Sequence, residues 1–171
     1  MNSSSETRLT QLATRIGEVL LARGQHLTTA ESCTGGWAAQ TITAIAGSSE
    51  WFEAGFVTYS NRIKQQLLGV PANILEGEGA PGAVSEETVF AMAQGARAAA
   101  QADWAIAISG IAGPGGAVAG KPVGTVWFGW AGPDGQLVSR RCQFDGDRRE
   151  VRYQSVAVAL EGLLQLLDKQ D

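Results

Sequence analysis

Three short segments of this chain hold side chains able to do chemistry. The first is Ala30-Glu31-Ser32-Cys33-Thr34-Gly35-Gly36, a serine, a thiol and a second hydroxyl ahead of two glycines. It falls where a short apolar strand gives way to a helix. At such a turn the unpaired N–H groups of a first helical turn are available to an oxygen. That arrangement suits a phosphate cradle, or a nucleophile beside its own oxyanion donors. Plainer readings stand beside these: Ser32 as a helix cap, Cys33 as a small buried residue, Thr34 as a cap or a contact to a ligand oxygen. Gly35 and Gly36 each cost a helix about 1 kcal/mol against alanine. Their pairing points to something that must approach the backbone closely.

The second segment is Thr58-Tyr59-Ser60-Asn61-Arg62-Ile63-Lys64. With Asn61 as N-cap, Lys64 falls at the third helical position, where the helix dipole disfavours a cation. The dipole and desolvation both lower a lysine pKa. Half-neutrality at pH 7 needs a drop of roughly 3 units, about 4 kcal/mol, and burial supplies shifts of that size. A dry Lys64 can therefore take a proton from Ser32. Alternatively, a charged Lys64 lowers the pKa of Tyr59, which takes it instead. The bland alternative is a solvated lysine on a surface helix.

The third segment, Ser109-Gly110-Ile111-Ala112-Gly113-Pro114-Gly115-Gly116, reads as a surface loop or as a backbone nest around an anion. Gly115-x-x-x-x-Gly120-Lys121 is no P-loop, because Pro122 stands where the magnesium-binding hydroxyl belongs and leads into a strand. No G-x-G-x-x-G precedes a helix. Arg140, Arg141, Arg148, Arg149 and Arg152 supply five of the thirteen basic residues. Arg148 and Arg152, one helical turn apart, can together grip a phosphate.

The elements that position these segments follow from periodicity. Leu9, Leu12, Ile16 and Val19 mark a helix over about Glu6–Ala22. A strand is expected at His26–Ala30, a helix at Gly35–Ala46, a strand at Phe52–Ser60 and a short helix from Asn61 to Leu68. Pro71–Gly82, with two prolines and three glycines, reads as loop. Ser85 caps a helix to about Gln101 with Val89, Met92, Ala93 and Ala96 inward. Trp104–Ser109 is a buried strand, and Gly110–Gly120 a glycine-rich loop. Thr125–Ala131 and Leu137–Phe144 flank the hairpin signal Pro133-Asp134-Gly135, and a helix runs from about Asp147 to Asp168. Alternating helices and strands followed by a hairpin predict an α/β domain, its mixed sheet covered on both faces. Ligands bind such sheets where strands open into loops, so the glycine-rich segments are expected to share a pocket.

Composition narrows the function. A chain of 171 residues fits one domain, and 44% hydrophobic with 18% charged residues is a globular balance. A net charge of −4 argues against nucleic acid as a partner. No apolar run reaches membrane-span length and Met1–Arg8 is no signal peptide, so a cytoplasmic protein without membrane contact is expected. Cys33 and Cys142 form neither a disulfide framework nor a zinc-finger spacing. His26, the sole histidine, excludes any site needing two imidazoles.

Taken in order, Ala30–Gly36, Thr58–Asn61 with Lys64 and Leu67-Leu68-Gly69-Val70, Gly82-Ala83-Val84-Ser85, Ser109–Gly116, Gly124-Thr125-Val126 and Gly146-Asp147-Arg148 resemble the CinA C-terminal domain family over about residues 8–168. The resemblance implies a single three-layer α/β/α domain with a mixed sheet. It implies hydrolysis of nicotinamide mononucleotide to nicotinic acid mononucleotide and ammonia, in pyridine nucleotide recycling, with no metal or cofactor. A serine nucleophile with lysine and tyrosine partners carries over as Ser32, Lys64 and Tyr59. Cys33, Thr34, Gly35, Gly36, Ser109, Gly110, Gly113, Gly115 and Arg148 become the expected substrate-binding positions, and a homodimer the expected assembly. The second reading is a non-catalytic nucleotide-binding or interaction protein of the competence and damage-inducible type.

Overall fold

The computed structural model describes residues 3–169. Helix α1 spans Ser3–Arg23 and buries Leu9, Ala13, Ile16 and Leu20, a stripe at spacings of three and four. Strand β1, Leu27–Glu31, is buried along its whole length. Helix α2 covers Trp37–Thr43, so it begins two residues later than glycine placement suggested. Strand β2, Phe52–Val57, leads to helix α3, Asn61–Leu68. Inside the Pro71–Gly82 segment, expected to be irregular, one helical turn forms: α4, Ala72–Leu75. Pro71, without an N–H to lose, starts it. Helix α5 is Glu86–Ala100, and Ser85 Oγ accepts the Thr88 N–H as its cap. Strands β3, Trp104–Gly110, β4, Thr125–Ala131, and β5, Leu137–Gln143, precede helix α6, Arg148–Asp168.

The five strands lie in the order β2-β1-β3-β4-β5. β1 is parallel to β2 and to β3, whereas β3–β4 and β4–β5 are antiparallel. Side-chain alternation divides β3 between the two faces. Trp104, Ile106 and Ile108 join the cluster of α1, α2 and α6, while Ala105 and Ala107 pack with α5. The architecture is thus three layers, α/β/α, around a mixed sheet. Each fully buried aliphatic chain in these layers contributes about 1.5–3 kcal/mol. Gly162 of α6 is required by packing, since a β-carbon there would stand 2.2 Å from Trp130. The close approach lets Trp130 Nε1 donate to Ala159 O at 2.9 Å. β1, β2 and β3 all point the same way, so their carboxyl ends deliver Ser32, Tyr59 and Gly110 to one edge of the sheet.

Candidate active site

At the end of β1 the chain turns sharply. The Ser32 N–H donates to Ile108 O at 2.9 Å, and Ser32 O accepts the Gly35 N–H at 3.1 Å. Gly35 and Gly36 have φ of 61° and 93°, the left-handed region that residues with a β-carbon avoid. The glycine pair is therefore demanded by the turn itself. Glu31, which sequence reasoning passed over, is 1% exposed. Its carboxylate accepts N–H groups from Gly36 at 3.0 Å, Ala38 at 3.1 Å and Ala39 at 2.8 Å. A protein carboxylate thus already fills the anion site at the start of α2.

Lys64 reaches this turn from α3. Ser60, rather than Asn61, caps that helix by accepting the Ile63 N–H at 3.3 Å. Lys64 is consequently its fourth residue, and one turn in, its side chain points back under the strand ends. It is 1% exposed. Its Nζ lies 3.0 Å from Ser32 Oγ, 2.7 Å from Thr58 O and 3.3 Å from Tyr59 O. Burial lowers its pKa to about 8. A neutral amine has two N–H donors for the two carbonyls and one lone pair left for the Ser32 O–H. Burial pushes the Cys33 thiol the other way, up to about 12 with Glu31 adding to the rise. Cys33 is thereby an inert neighbour of the serine at neutral pH.

The other expected residues divide. Tyr59 is 62% exposed, and its hydroxyl accepts from Arg148 Nη2 at 3.0 Å. Arg148 Nη1 donates to Gly113 O at 2.8 Å. One arginine therefore joins the loops after β2 and β3. Thr34 and Cys33 are buried, so their side chains do not face solvent. Ser109 Oγ donates to Ala83 O at 2.6 Å, tying the strand end to the loop before α5. A β-carbon on Gly110 would meet Val126 at 2.6 Å, which makes Gly110 a packing glycine against β4. Gly115 lies on the exposed loop.

Beside the turn opens a cleft of about 1080 Å³, lined among others by Gly35, Gly36, Trp37, Gly113, Arg148, Arg149 and Arg152. The helix α6 that borders it begins with a closed capping box. Asp147 Oδ1 accepts from the Arg149 and Glu150 N–H groups at 2.8 and 2.9 Å, and Glu150 returns the bond at 2.7 Å. An anion in this cleft would find carboxylates at both helix starts, and guanidinium groups and loop amides between them. Arg152 is engaged elsewhere: Nε and Nη2 donate to Cys33 O and Thr34 O at 3.1 and 2.8 Å. No local pattern could have disclosed that, or the capping by Glu31. The only sequence signal was an acidic residue just before a helix start.

A serine hydroxyl beside a buried lysine amine thus stands at the strand ends of an α/β/α sheet, with the single histidine at the opposite end of β1. The CinA C-terminal domain family model matches residues 9–167, and the chain belongs to that family. A nicotinamide-nucleotide amidohydrolase PncC of Escherichia coli (strain K12) is 55% identical over 161 residues, 94% of this chain and 96% of the relative. The protein of the same name from Pseudomonas putida is 56% identical over 158 residues, 92% and 96% of the two chains. The crystal structure of the competence damage-inducible protein A (ComA) from Klebsiella pneumoniae matches with a TM-score of 0.88 at 42% identity, covering 94% of this chain and 97% of that one.

Proposed function

We propose that the chain hydrolyses the carboxamide of nicotinamide mononucleotide, giving nicotinic acid mononucleotide and ammonia, with Ser32 as nucleophile and Lys64 as its proton acceptor. The relatives named for this activity match nearly end to end at more than half identity. The observation that carries the mechanism is the 3.0 Å contact between Ser32 Oγ and a buried Lys64 Nζ whose remaining donors face two carbonyls.

Ser32 Oγ bonds to the carboxamide carbon as its proton passes to Lys64. The C–N bond then breaks, and Lys64 returns that proton to the leaving nitrogen, which departs as ammonia. Water attacks the resulting ester as one of its protons passes to Lys64, and the Ser32–acyl bond breaks as Lys64 gives that proton to Ser32 Oγ. The oxyanion would sit on the Cys33 N–H, because those of Gly35 and Gly36 are taken by Ser32 O and Glu31 and Thr34 is wholly buried. Tyr59 acts through two groups: its carbonyl holds Lys64, and its hydroxyl steadies Arg148. The 5′-phosphate lies in the cleft against Arg148, Arg149 and the Gly113 turn, away from Ser109 and Gly110. Contacts to that remote phosphate position the amide, so free nicotinamide is a poor substrate. A cytoplasmic homodimer completes the proposal.

The test is ammonia release from the mononucleotide by the wild type and by Ser32→Ala. Loss of at least about 10³-fold in kcat is expected for a removed nucleophile. Turnover near the wild-type rate in Ser32→Ala would overturn the mechanism. Binding of the mononucleotide by the wild type without ammonia over hours would favour a non-catalytic protein.

A further inference from the structure

We propose that Arg148 makes cleavage conditional on the substrate's phosphate: its guanidinium bolts together the loops on either side of Ser32, and a phosphate draws the bolt off Tyr59. This rests on the reading of Ser32 as nucleophile toward nicotinamide mononucleotide. β2 and β3 flank β1 in parallel, so at about 4.8 Å per strand they stand roughly 10 Å apart. Between them lies the end of β1, which leads directly into the partly buried Ser32. Arg148 crosses that gap. Nη1 donates to Gly113 O at 2.8 Å, beyond β3, and Nη2 donates to the Tyr59 hydroxyl at 3.0 Å, beyond β2. Arg148 and Gly113 line the cleft, whereas Ser32, Lys64 and Tyr59 do not. The bridge therefore stands at the border between the cleft and the Ser32–Lys64 pair.

The bolt is weakly set. Both of its acceptors are neutral oxygens, and among the described residues no carboxylate pairs with Arg148. Asp147 and Glu150, its acidic neighbours, are engaged in the capping box. A phosphate dianion presents charged oxygens to the planar fork, and charge-assisted bonds are roughly twice as strong as neutral ones. Arg148 is an exposed residue at the first position of α6, so its side chain can turn without disturbing the helix. Each Nη carries two N–H groups, so Gly113 O keeps one while the fork takes the phosphate. The Tyr59 end is the one that opens, and its hydroxyl, on a residue 62% exposed, meets water on release. A substrate without the phosphate must break the same bond and gains none in exchange.

The competing role for Arg148 is a plain grip, which holds the phosphate and leaves Ser32 equally open with or without it. The two roles differ on a substrate that lacks the phosphate, nicotinamide riboside. For a grip, removing Arg148 leaves riboside cleavage as it was. For a bolt, removing it raises the share of chains competent to bind, and riboside cleavage speeds up.

The experiment measures kcat/KM for ammonia release by the full chain from the mononucleotide and from the riboside, with and without phosphite dianion as a separate phosphate piece. In the wild type, saturating phosphite should raise riboside cleavage about tenfold or more. In Arg148→Ala, mononucleotide cleavage should fall at least about tenfold, riboside cleavage should rise about three- to tenfold, and phosphite should no longer act. That rise is the size expected when one net hydrogen bond no longer has to be broken. Tyr59→Phe removes only the hydroxyl end of the bolt and keeps the carbonyl on Lys64, so the riboside rise should recur there. Unaltered or slower riboside cleavage in either variant, or a wild type indifferent to phosphite, overturns the proposal. If Arg148→Ala does not fold, Tyr59→Phe decides alone by the same criterion. A wild type that frees no ammonia from the mononucleotide, or an active Ser32→Ala, removes the proposed function itself. An active wild type and inactive Ser32→Ala, beside unaltered riboside cleavage in the bolt variants, remove only this inference.

Discussion

Two glycine-rich turns follow neighbouring parallel strands, Ser32–Gly36 after β1 and Gly110–Gly120 after β3, and they are built in opposite ways. The first is clamped. Glu31 holds the Gly36 N–H, Arg152 the Cys33 and Thr34 carbonyls and Ile108 the Ser32 N–H, and its glycines answer to left-handed backbone. The second is sparsely tied beyond Gly113. Ile111 pairs with Thr125 and Gly124, and the further anchors are the Gly113 carbonyl on Arg148, the Gly120 carbonyl on Arg141 and a bridge between Val118 and Lys121, while residues 114–120 are exposed. Glycine content alone therefore does not separate a rigid turn from an open one. What separates them is how many backbone polar groups are held by partners outside the turn. The clamped turn suits bond-making, which tolerates little misplacement, and the open one suits walling a cleft.

The contrast is sharpest at Lys64, the side chain joined to the clamped turn. Lys64→Met keeps length and burial without the amine, and kcat for ammonia release should drop about 10³-fold, within the range for a lost general base. In the wild type, kcat/KM should rise with pH to an inflection near 8, the lowered lysine value. The same shift bears on stability. Below about pH 8 Lys64 is protonated in both folded and unfolded chains, and the folded state carries the cost of a buried cation. Between about 8 and the ordinary 10.5 the folded chain releases its proton first. This group's contribution therefore rises with pH across that window by about 3 kcal/mol, to be read from urea titrations at successive pH values.

Breaking the clamp itself should cost stability. Glu31→Ala leaves three N–H groups at the start of α2 without their acceptor, and a loss of about 3 kcal/mol is expected. A lower urea midpoint at unchanged slope would show it. The smallest effect belongs to the open turn. Gly115 has no atom within 4 Å of a β-carbon and is not among the glycines at positive φ. Gly115→Ala should change stability by less than about 0.5 kcal/mol. A loss comparable to that of Glu31→Ala would erase the distinction between the two turns.

Much of this arrangement is legible in the sequence, for physical reasons that also mark its limits. Strong periodicity gave α1, α5 and α6, and an apolar run bounded by breakers gave β3. Ser85 had the helix it caps directly behind it. Lys64 stood out because a cation in an early helical turn opposes the dipole. The cap of α3 was displaced by one residue, since Ser60 and Asn61 are both good caps and only the backbone decides. The turn α4 escaped because prolines and glycines dominate its segment. Glu31, and the carbonyl contacts of Arg152 in place of the phosphate grip expected of it with Arg148, escaped for a deeper reason. Glu31 is read locally as a strand residue although its side chain serves the next helix. Arg152 meets its carbonyls across 119 and 118 positions, a distance over which no local pattern speaks.

That separation has a consequence for how the molecule comes into being. The turn bearing Ser32 is made early in the chain, but the arginine that shapes it belongs to the last helix. Closing so long a loop is entropically slow work, so a sheet can assemble with its serine in place and still lack the Arg152 contacts to that turn. The turn gains its last contacts only when α6 docks. A nascent chain whose α6 is still in the ribosome would hold Ser32 and Lys64 without the arginine contacts to the turn between β1 and α2.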